Sequence, residues 1–219
     1  MQPVKTYAML AAMLCIGSAL GTAAALADDP PPYIPVNLEW RPAWQMVAPG
    51  SAVQIGLYAV ADSEEEEQKI SAARVLFGWD PAYLLLEGLN QSGAAPLMVS
   101  TFPQNDPYGL NEANGSVPYR PLDGDGYYQA WAMLGDNLYA TPAGTLLTTF
   151  VFTAMDYTAG TTLEIFETAG NPPGTSAVFD GNWANRNILA ERGCAMVVIP
   201  EPATVLLLAT GCLLWRRRR

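Results

Sequence analysis

The chain has 219 residues, 21 acidic side chains, 11 lysines and arginines and no histidine, for a formal charge of −10. This balance excludes the clustered cations that nucleic-acid phosphates demand. The absence of His excludes Ser-His-Asp, Cys-His and His-ligated zinc chemistry, and 50% apolar residues are too many for a disordered acidic tail.

In chain order, Lys5 is followed by an uncharged, mostly apolar stretch from Tyr7 to Leu26, which includes Cys15. It closes on Ala25-Leu26-Ala27 ahead of Asp28-Asp29, with small residues at −3 and −1. This predicts a helical secretory signal peptide over residues 1–27, cut after Ala27 with Ala25 and Ala27 as its recognition residues. Residues 28–35 hold four prolines and read as an extended linker.

Short alternating segments follow, separated by Gly, Pro, Asn and Asp clusters. Val53, Ile55, Leu57 and Ala59 share one face of a strand, as do Val75, Phe77 and Trp79. Leu84 to Leu89 is a short apolar run, and Tyr128, Ala130, Ala132 and Leu134 alternate again. Thr145 to Met155 has Leu147, Thr149, Val151 and Thr153 on one side and Thr148, Phe150 and Phe152 on the other. Leu163 and Ile165 continue the pattern, and Ala195 to Ile199 is a last strand. Alternation rich in β-branched and aromatic residues marks half-buried strands. No fifteen-residue window carries a capped helical stripe. The expectation is an all-β fold over residues 36–199, an antiparallel jelly-roll β-sandwich of about nine strands.

Between residues 28 and 199, six bases face twenty acids, a balance of −14, and the one cysteine is Cys194. An exported domain with one thiol has no internal disulfide, so its core must hold it together. After it, Pro200-Glu201-Pro202 leads into residues 203–215, uncharged and mostly apolar, and Arg216 to Arg219 close the chain. As a helix that run is about 20 Å long, short beside a hydrocarbon core of about 30 Å. Trp215 suits the interface, and the arginines suit the cytoplasmic side.

The order of these last parts, Pro200-Glu201-Pro202, a short hydrophobic helix and a terminal basic cluster, resembles the PEP-CTERM sorting signal over residues 200–219. The resemblance implies a Gram-negative bacterial source and recognition by an exosortase-like membrane protease that cuts near the motif. It also implies transient inner-membrane anchoring, after which the domain reaches the cell surface or extracellular matrix. A second resemblance spans residues 36–199. Val47-Ala48-Pro49-Gly50-Ser51 precedes a long strand, another strand ends in Trp79-Asp80-Pro81-Ala82-Tyr83-Leu84, and Gly144-Thr145-Leu146-Leu147 runs into Phe150-Val151-Phe152-Thr153-Ala154. This order is similar to cohesin-like domains, related in fold to family 2 and 3 carbohydrate-binding modules. It implies a nine-stranded jelly roll without catalysis, and a protein partner of the dockerin kind.

Local motifs give the candidate sites. Asp123-Gly124-Asp125-Gly126 sets two carboxylates two residues apart, a pattern that can hold Ca²⁺. Tyr127 takes the place of a third ligand, so Asp106 and Asp136 would have to join through the fold; an Asp-Gly turn is the plain alternative. No other cofactor is implied. Glu64 to Glu67 are adjacent like charges and read as a solvated loop. Paired acids are the enzymatic option left to a His-free chain; Asp80, Glu87, Glu164 and Glu167 are candidates, but none sits in a catalytic motif. Tyr127 and Trp131 share one strand face and are the candidate rings for stacking on sugar. Tyr108, Tyr119 and Trp183 lie in polar loops. Asn114-Gly115-Ser116 fits a glycosylation acceptor, of little meaning in a bacterium. The expectation is an exported, non-enzymatic surface or matrix protein. Its partners are the secretion machinery, an exosortase-like protease and an extracellular protein module or polysaccharide. Adhesion or scaffolding is the leading role, with a carbohydrate-binding module as the alternative.

Overall fold

Each alternating strand hides one face, and two such faces pressed together make the core. The computed structural model describes residues 31–111, 123–133, 137–183 and 186–201. Among them no helix is long and apolar enough to cross a membrane. The leader with Ala25 and Ala27, the Asn114 to Ser116 acceptor, Tyr119, Asp136, Pro202 and the apolar tail lie outside the described residues.

One sheet has five strands in the order β14 (Leu189–Arg192), β1 (Val36–Arg41), β3 (Ala52–Ala61), β9 (Thr145–Ala154) and β5 (Leu84–Asn90). The other runs β2 (Trp44–Met46), β15 (Cys194–Ile199), β10 (Thr158–Phe166), β4 (Gln68–Trp79), β7 (Asp125–Ala132) and β6 (Leu97–Thr101). β13 (Ala177–Asp180) and β8 (Leu138–Ala140) pair with the first half of β4, one on each side. β11 (Thr168–Ala169) and β12 (Gly174–Thr175) form a small separate hairpin.

The expected strands recur here with more pieces than anticipated. About nine strands were expected, and the described residues carry fifteen strand segments, six of them only two to four residues long. The pairing is also not wholly antiparallel: β1 runs parallel to β14, and β2 parallel to β15. The two parallel pairings and two of the short segments, β2 and β14, share a cause. The first strand breaks at Pro42, which has no N–H to continue a ladder, and its second half joins the other sheet. The last strand breaks likewise at Gly193, whose N–H reaches back to the Leu38 carbonyl at 2.7 Å.

The core is aromatic at its centre. Phe150 of β9 meets Phe77 of β4 at 4.6 Å between ring centroids, Trp40 of β1 at 5.2 Å, Tyr128 of β7 at 5.8 Å and Phe102 at 5.9 Å. Val53, Ile55, Leu57 and Ala59 are all buried, as the alternation requires. In β9 the strict alternation fails at Leu147. Tyr58 pairs with Leu146 and Leu57 with Thr148, so a bulge leaves Leu147 over, and both Leu147 and Thr148 are buried.

A buried polar latch closes the end where β4 begins. The Asp180 carboxylate receives Arg186 Nε at 2.8 Å and Arg186 Nη2, and Gln68 Nε2 donates to its other oxygen at 3.2 Å. The Ile34 N–H donates to Gln68 Oε1 at 2.8 Å, and the Arg186 guanidinium lies 4.5 Å from the centre of the Tyr33 ring, so the same group fixes the incoming linker. Arg186→Met leaves the fully buried Asp180 side chain without its cation. Breaking such a pair costs about 3–5 kcal/mol, so the unfolding free energy from urea titration should fall by that amount, as a lower midpoint with an unchanged slope.

Candidate binding face

The outer face of the eight-stranded sheet carries the unusual surface chemistry. Its rows follow from register. Met98 of β6 stands opposite Trp131 of β7, Trp131 opposite Ala72 of β4, and Ala72 opposite Phe179 of β13. The two rings lean over the small Ala72, with centroids 6.4 Å apart and planes 14° apart. Met98 is 58% exposed and Trp131 41%. The indole N–H of Trp131 donates to Ser100 Oγ at 3.0 Å, which fixes the ring. In the next row, the Arg74 guanidinium lies 5.4 Å from the centre of the Phe179 ring.

One row further along, the sheet is covered by its own loop. Tyr127 and Leu76 pair across β7 and β4, and with Leu110 they form a second small core against Tyr108, Phe166 and Ala169. The covering loop is locally built. Asp106 Oδ1 accepts the N–H of Tyr108 at 2.8 Å, and Oδ2 accepts those of Leu110 and of Asn111, the latter at 2.6 Å. Asn111 then docks the loop on the edge of β7. Its Oδ1 takes the Tyr127 N–H at 2.7 Å and its Nδ2 donates to the Tyr127 carbonyl at 2.9 Å, as a neighbouring strand would.

This corrects one expected contact. Tyr127 is only 1% exposed, because the loop that Asp106 organises and the hairpin beside it lie over the strand. It cannot stack on a sugar, so of the two expected rings only Trp131 is presented. Its sequence neighbour Tyr128 lies on the inner face, in the main core.

The Asp-Gly motif forms a turn into β7. Gly124 has φ +92°, and its carbonyl accepts the Trp79 N–H at 2.7 Å. A Cβ there would strike the Trp79 carbonyl and Pro81, so only glycine fits. Asp123 is exposed, and Asp125 sits in the ladder opposite Gly78. Among the described residues no three acids or thiols gather as a metal site. Of the four candidate catalytic acids, Asp80 and Glu164 do reach one hollow of about 200 Å³, with Gly78, Thr162 and Phe166. Both are exposed, and Asp80 Oδ1 is engaged by the Ala82 N–H at 2.9 Å. Glu167 pairs with Arg192 at 3.2 Å, and Glu87 accepts the Thr153 hydroxyl at 2.9 Å on the other sheet. Trp183 is exposed in the loop after β13.

No protein-family model matches the chain, and no curated protein matches it. Among solved structures it is similar to a cohesin module from the Clostridium perfringens family 33 glycoside hydrolase, at 16% identity and a TM-score of 0.48, over 77% of this chain and 98% of that one. It is also similar to a chain of a type I cohesin–dockerin complex from Clostridium thermocellum, at 11% identity and a TM-score of 0.46, over 76% of this chain and 100% of that one. A third is the sixth cohesin of Acetivibrio cellulolyticus scaffoldin B, in complex with a dockerin, at 14% identity and a TM-score of 0.44, over 77% and 99%. At these values the likeness assigns no residue and no partner.

Burial of the two adjacent tyrosines sets a pH dependence. Loss of water pushes the Tyr127 phenol up to about 12 from its usual 10, with the neighbouring Tyr108 adding to the shift. Burial pushes Tyr128 up as well. The unfolded chain loses these protons near pH 10 while the folded chain keeps them. Stability is therefore full below pH 10 and falls as pH rises toward 12. Urea unfolding across that window should show the decline, with the phenolate absorbance of two tyrosines appearing together with unfolding. A flat profile would contradict the burial.

Proposed function

We propose that this is an exported, non-enzymatic surface or matrix protein whose cohesin-like jelly-roll domain binds a protein module for adhesion or scaffolding. Its leader sends it through the inner membrane. The Pro200-Glu201-Pro202 tail holds it there for an exosortase-like protease, and the freed domain then reaches the exterior. The signal-peptide pattern and the PEP-CTERM resemblance support the route, and the cohesin-like motif order makes a dockerin-type module the first partner to try.

The observation that carries the binding role is the row Met98, Trp131 and Phe179. Exposed Met and Trp side by side, flanked by Arg74, make the mixed apolar patch of a protein interface. The carbohydrate-binding alternative is favoured by one feature, the near-parallel planes of Trp131 and Phe179. Against it, the Arg74 guanidinium is already held by the Phe179 ring, where a sugar would stack. Calcium at Asp123 and Asp125 remains a secondary proposal, tested by titration with the metal alone.

The test immobilises the full chain and titrates it with a panel of dockerin-type modules and, separately, with exopolysaccharides. Trp131→Ala should weaken protein binding at least tenfold, about 1.4 kcal/mol, measured well below the variant's own unfolding temperature. Polysaccharide binding abolished by the same substitution would make the glycan reading correct and the protein reading wrong. Protein binding indifferent to Trp131→Ala would remove this face from the account.

A further inference from the structure

A second exposed apolar patch lies at the opposite end of the sandwich, where the chain leaves it. β15 ends at Ile199, paired with Thr158 at the start of β10. The turns around it are tied together: Val47 N–H donates to the Val198 carbonyl at 3.0 Å, Gly50 N–H to Ala154 at 2.8 Å, and Met155 N–H to Tyr83 at 2.8 Å. Met46, Met155 and Tyr157 are exposed around this exit. Trp44 and Met196, directly paired on β2 and β15, extend the patch along the outer face, also exposed. No Lys or Arg occurs in the turns 47–51, 80–83 or 155–157, and Asp80, Asp123 and Asp156 stand exposed at this end.

The chain itself says what lies next to this patch. Only Pro200, Glu201 and Pro202 separate Ile199 from the apolar run of residues 203–215. Four fully extended steps span at most about 14 Å. If that run enters a bilayer, the end of the sandwich must stay within that reach of the lipid surface. Trp and Tyr favour the depth of the headgroups, because they join an apolar ring to a polar tip. Met supplies a soft apolar contact that adapts to an irregular surface. We propose that, while the tail is inserted, this end of the domain rests on a lipid surface of zwitterionic headgroups through Trp44, Met46, Met155, Tyr157 and Met196. The exposed carboxylates exclude an anionic lipid as the preferred surface. The contact would fix the tilt of the domain and hold Pro200 to Pro202 flat against the membrane, within reach of a membrane-embedded protease. It would leave the Met98 and Trp131 patch at the far end, free for a partner. The proposal rests on the reading of residues 203–215 as a membrane segment.

Methionine oxidation provides an internal comparison. Met46 and Met155 at the tail end are 51% and 50% exposed, and Met98 and Met133 at the far end are 58% and 51%. Uncovered, the four should form sulfoxide at similar rates. The full chain is reconstituted into phosphatidylcholine vesicles, treated briefly with peroxide and read by mass spectrometry. Flotation after an alkaline carbonate wash, measured beside the same chain truncated after Pro202, reports tail insertion as the part of the flotation that truncation removes. The expected result is flotation with Met46 and Met155 oxidised at least threefold more slowly than Met98 and Met133. That protection should weaken when half the lipid is replaced by phosphatidylglycerol. Flotation with four equal rates overturns the resting contact and leaves the tail reading standing. Loss of the protein in the wash overturns the tail reading, and the contact with it. Protection that increases with phosphatidylglycerol overturns the zwitterionic assignment.

Discussion

The structure depends on one meeting point, the Phe150 ring between the two sheets. It touches Phe77 and Tyr128 from one sheet, Trp40 from its own, and Phe102 from the loop after β6. The domain has no disulfide to hold the sheets together: Cys194, its one described cysteine, is free and exposed. Apolar contact across the sandwich has to supply what a covalent link would. Edge-to-face rings add directionality, which fixes one alignment of the sheets.

That alignment determines what the outer face can do. β4 is the spine: it pairs with β7 and β8 on one side and with β10 and β13 on the other. Its inward residues Val75, Phe77 and Trp79 feed the core, while its outward residues Ala72, Arg74, Leu76 and Gly78 set four different environments. Ala72 is small, so Trp131 and Phe179 converge above it. Leu76 is large and apolar, so it recruits the Tyr108 loop. Gly78 has no side chain, so the Phe166 ring lies over it. The loop over Leu76 and Tyr127 divides the face, leaving one exposed apolar patch at each end. The patch beside Met98 and Trp131 is the one proposed for a protein partner. The patch beside Met46 and Met155 lies where the chain heads toward its apolar tail.

Much of the fold was legible in the sequence because burial on one face leaves a period of two. β3, β7, β10, β15 and the second half of β4 follow it, β9 follows it on either side of its bulge at Leu147, and β5 was legible instead as a short apolar run. One segment with that period still escaped: β1, where buried Val36, Leu38 and Trp40 alternate with Asn37, Glu39 and Arg41 but the run directly follows the proline-rich linker. The other segments that escaped lack such a period. β2, β8 and β11 to β14 are two to four residues long, too short for a pattern, and β6 has only one fully buried residue, Thr101. The parallel pairings at both chain ends come from strands that change sheets at Pro42 and Gly193, a tertiary event with no local signal beyond those residues. The site was half legible. Trp131 was placed on the correct face by parity alone. Tyr127 shares that parity, but parity cannot reveal a loop folded over it. The Asp106-Pro107 pair and Asn111 were the available hints, as residues that capture backbone N–H groups. Phe179 was missed because its neighbours Ala177, Val178 and Asp180 give no alternation, and its pairing partner lies more than a hundred residues away in sequence.

The central claim is that Phe150 makes the two sheets one cooperative unit. It is tested most directly by native-state hydrogen exchange on Phe150→Ala, read separately for β3 and β9 in one sheet and for β4 and β7 in the other. Removing a buried Phe side chain costs about 3–5 kcal/mol. Protection in all four strands should therefore fall together by that amount. A loss confined to β3 and β9, with β4 and β7 unchanged, would mean that each sheet stands without the other and would contradict the account.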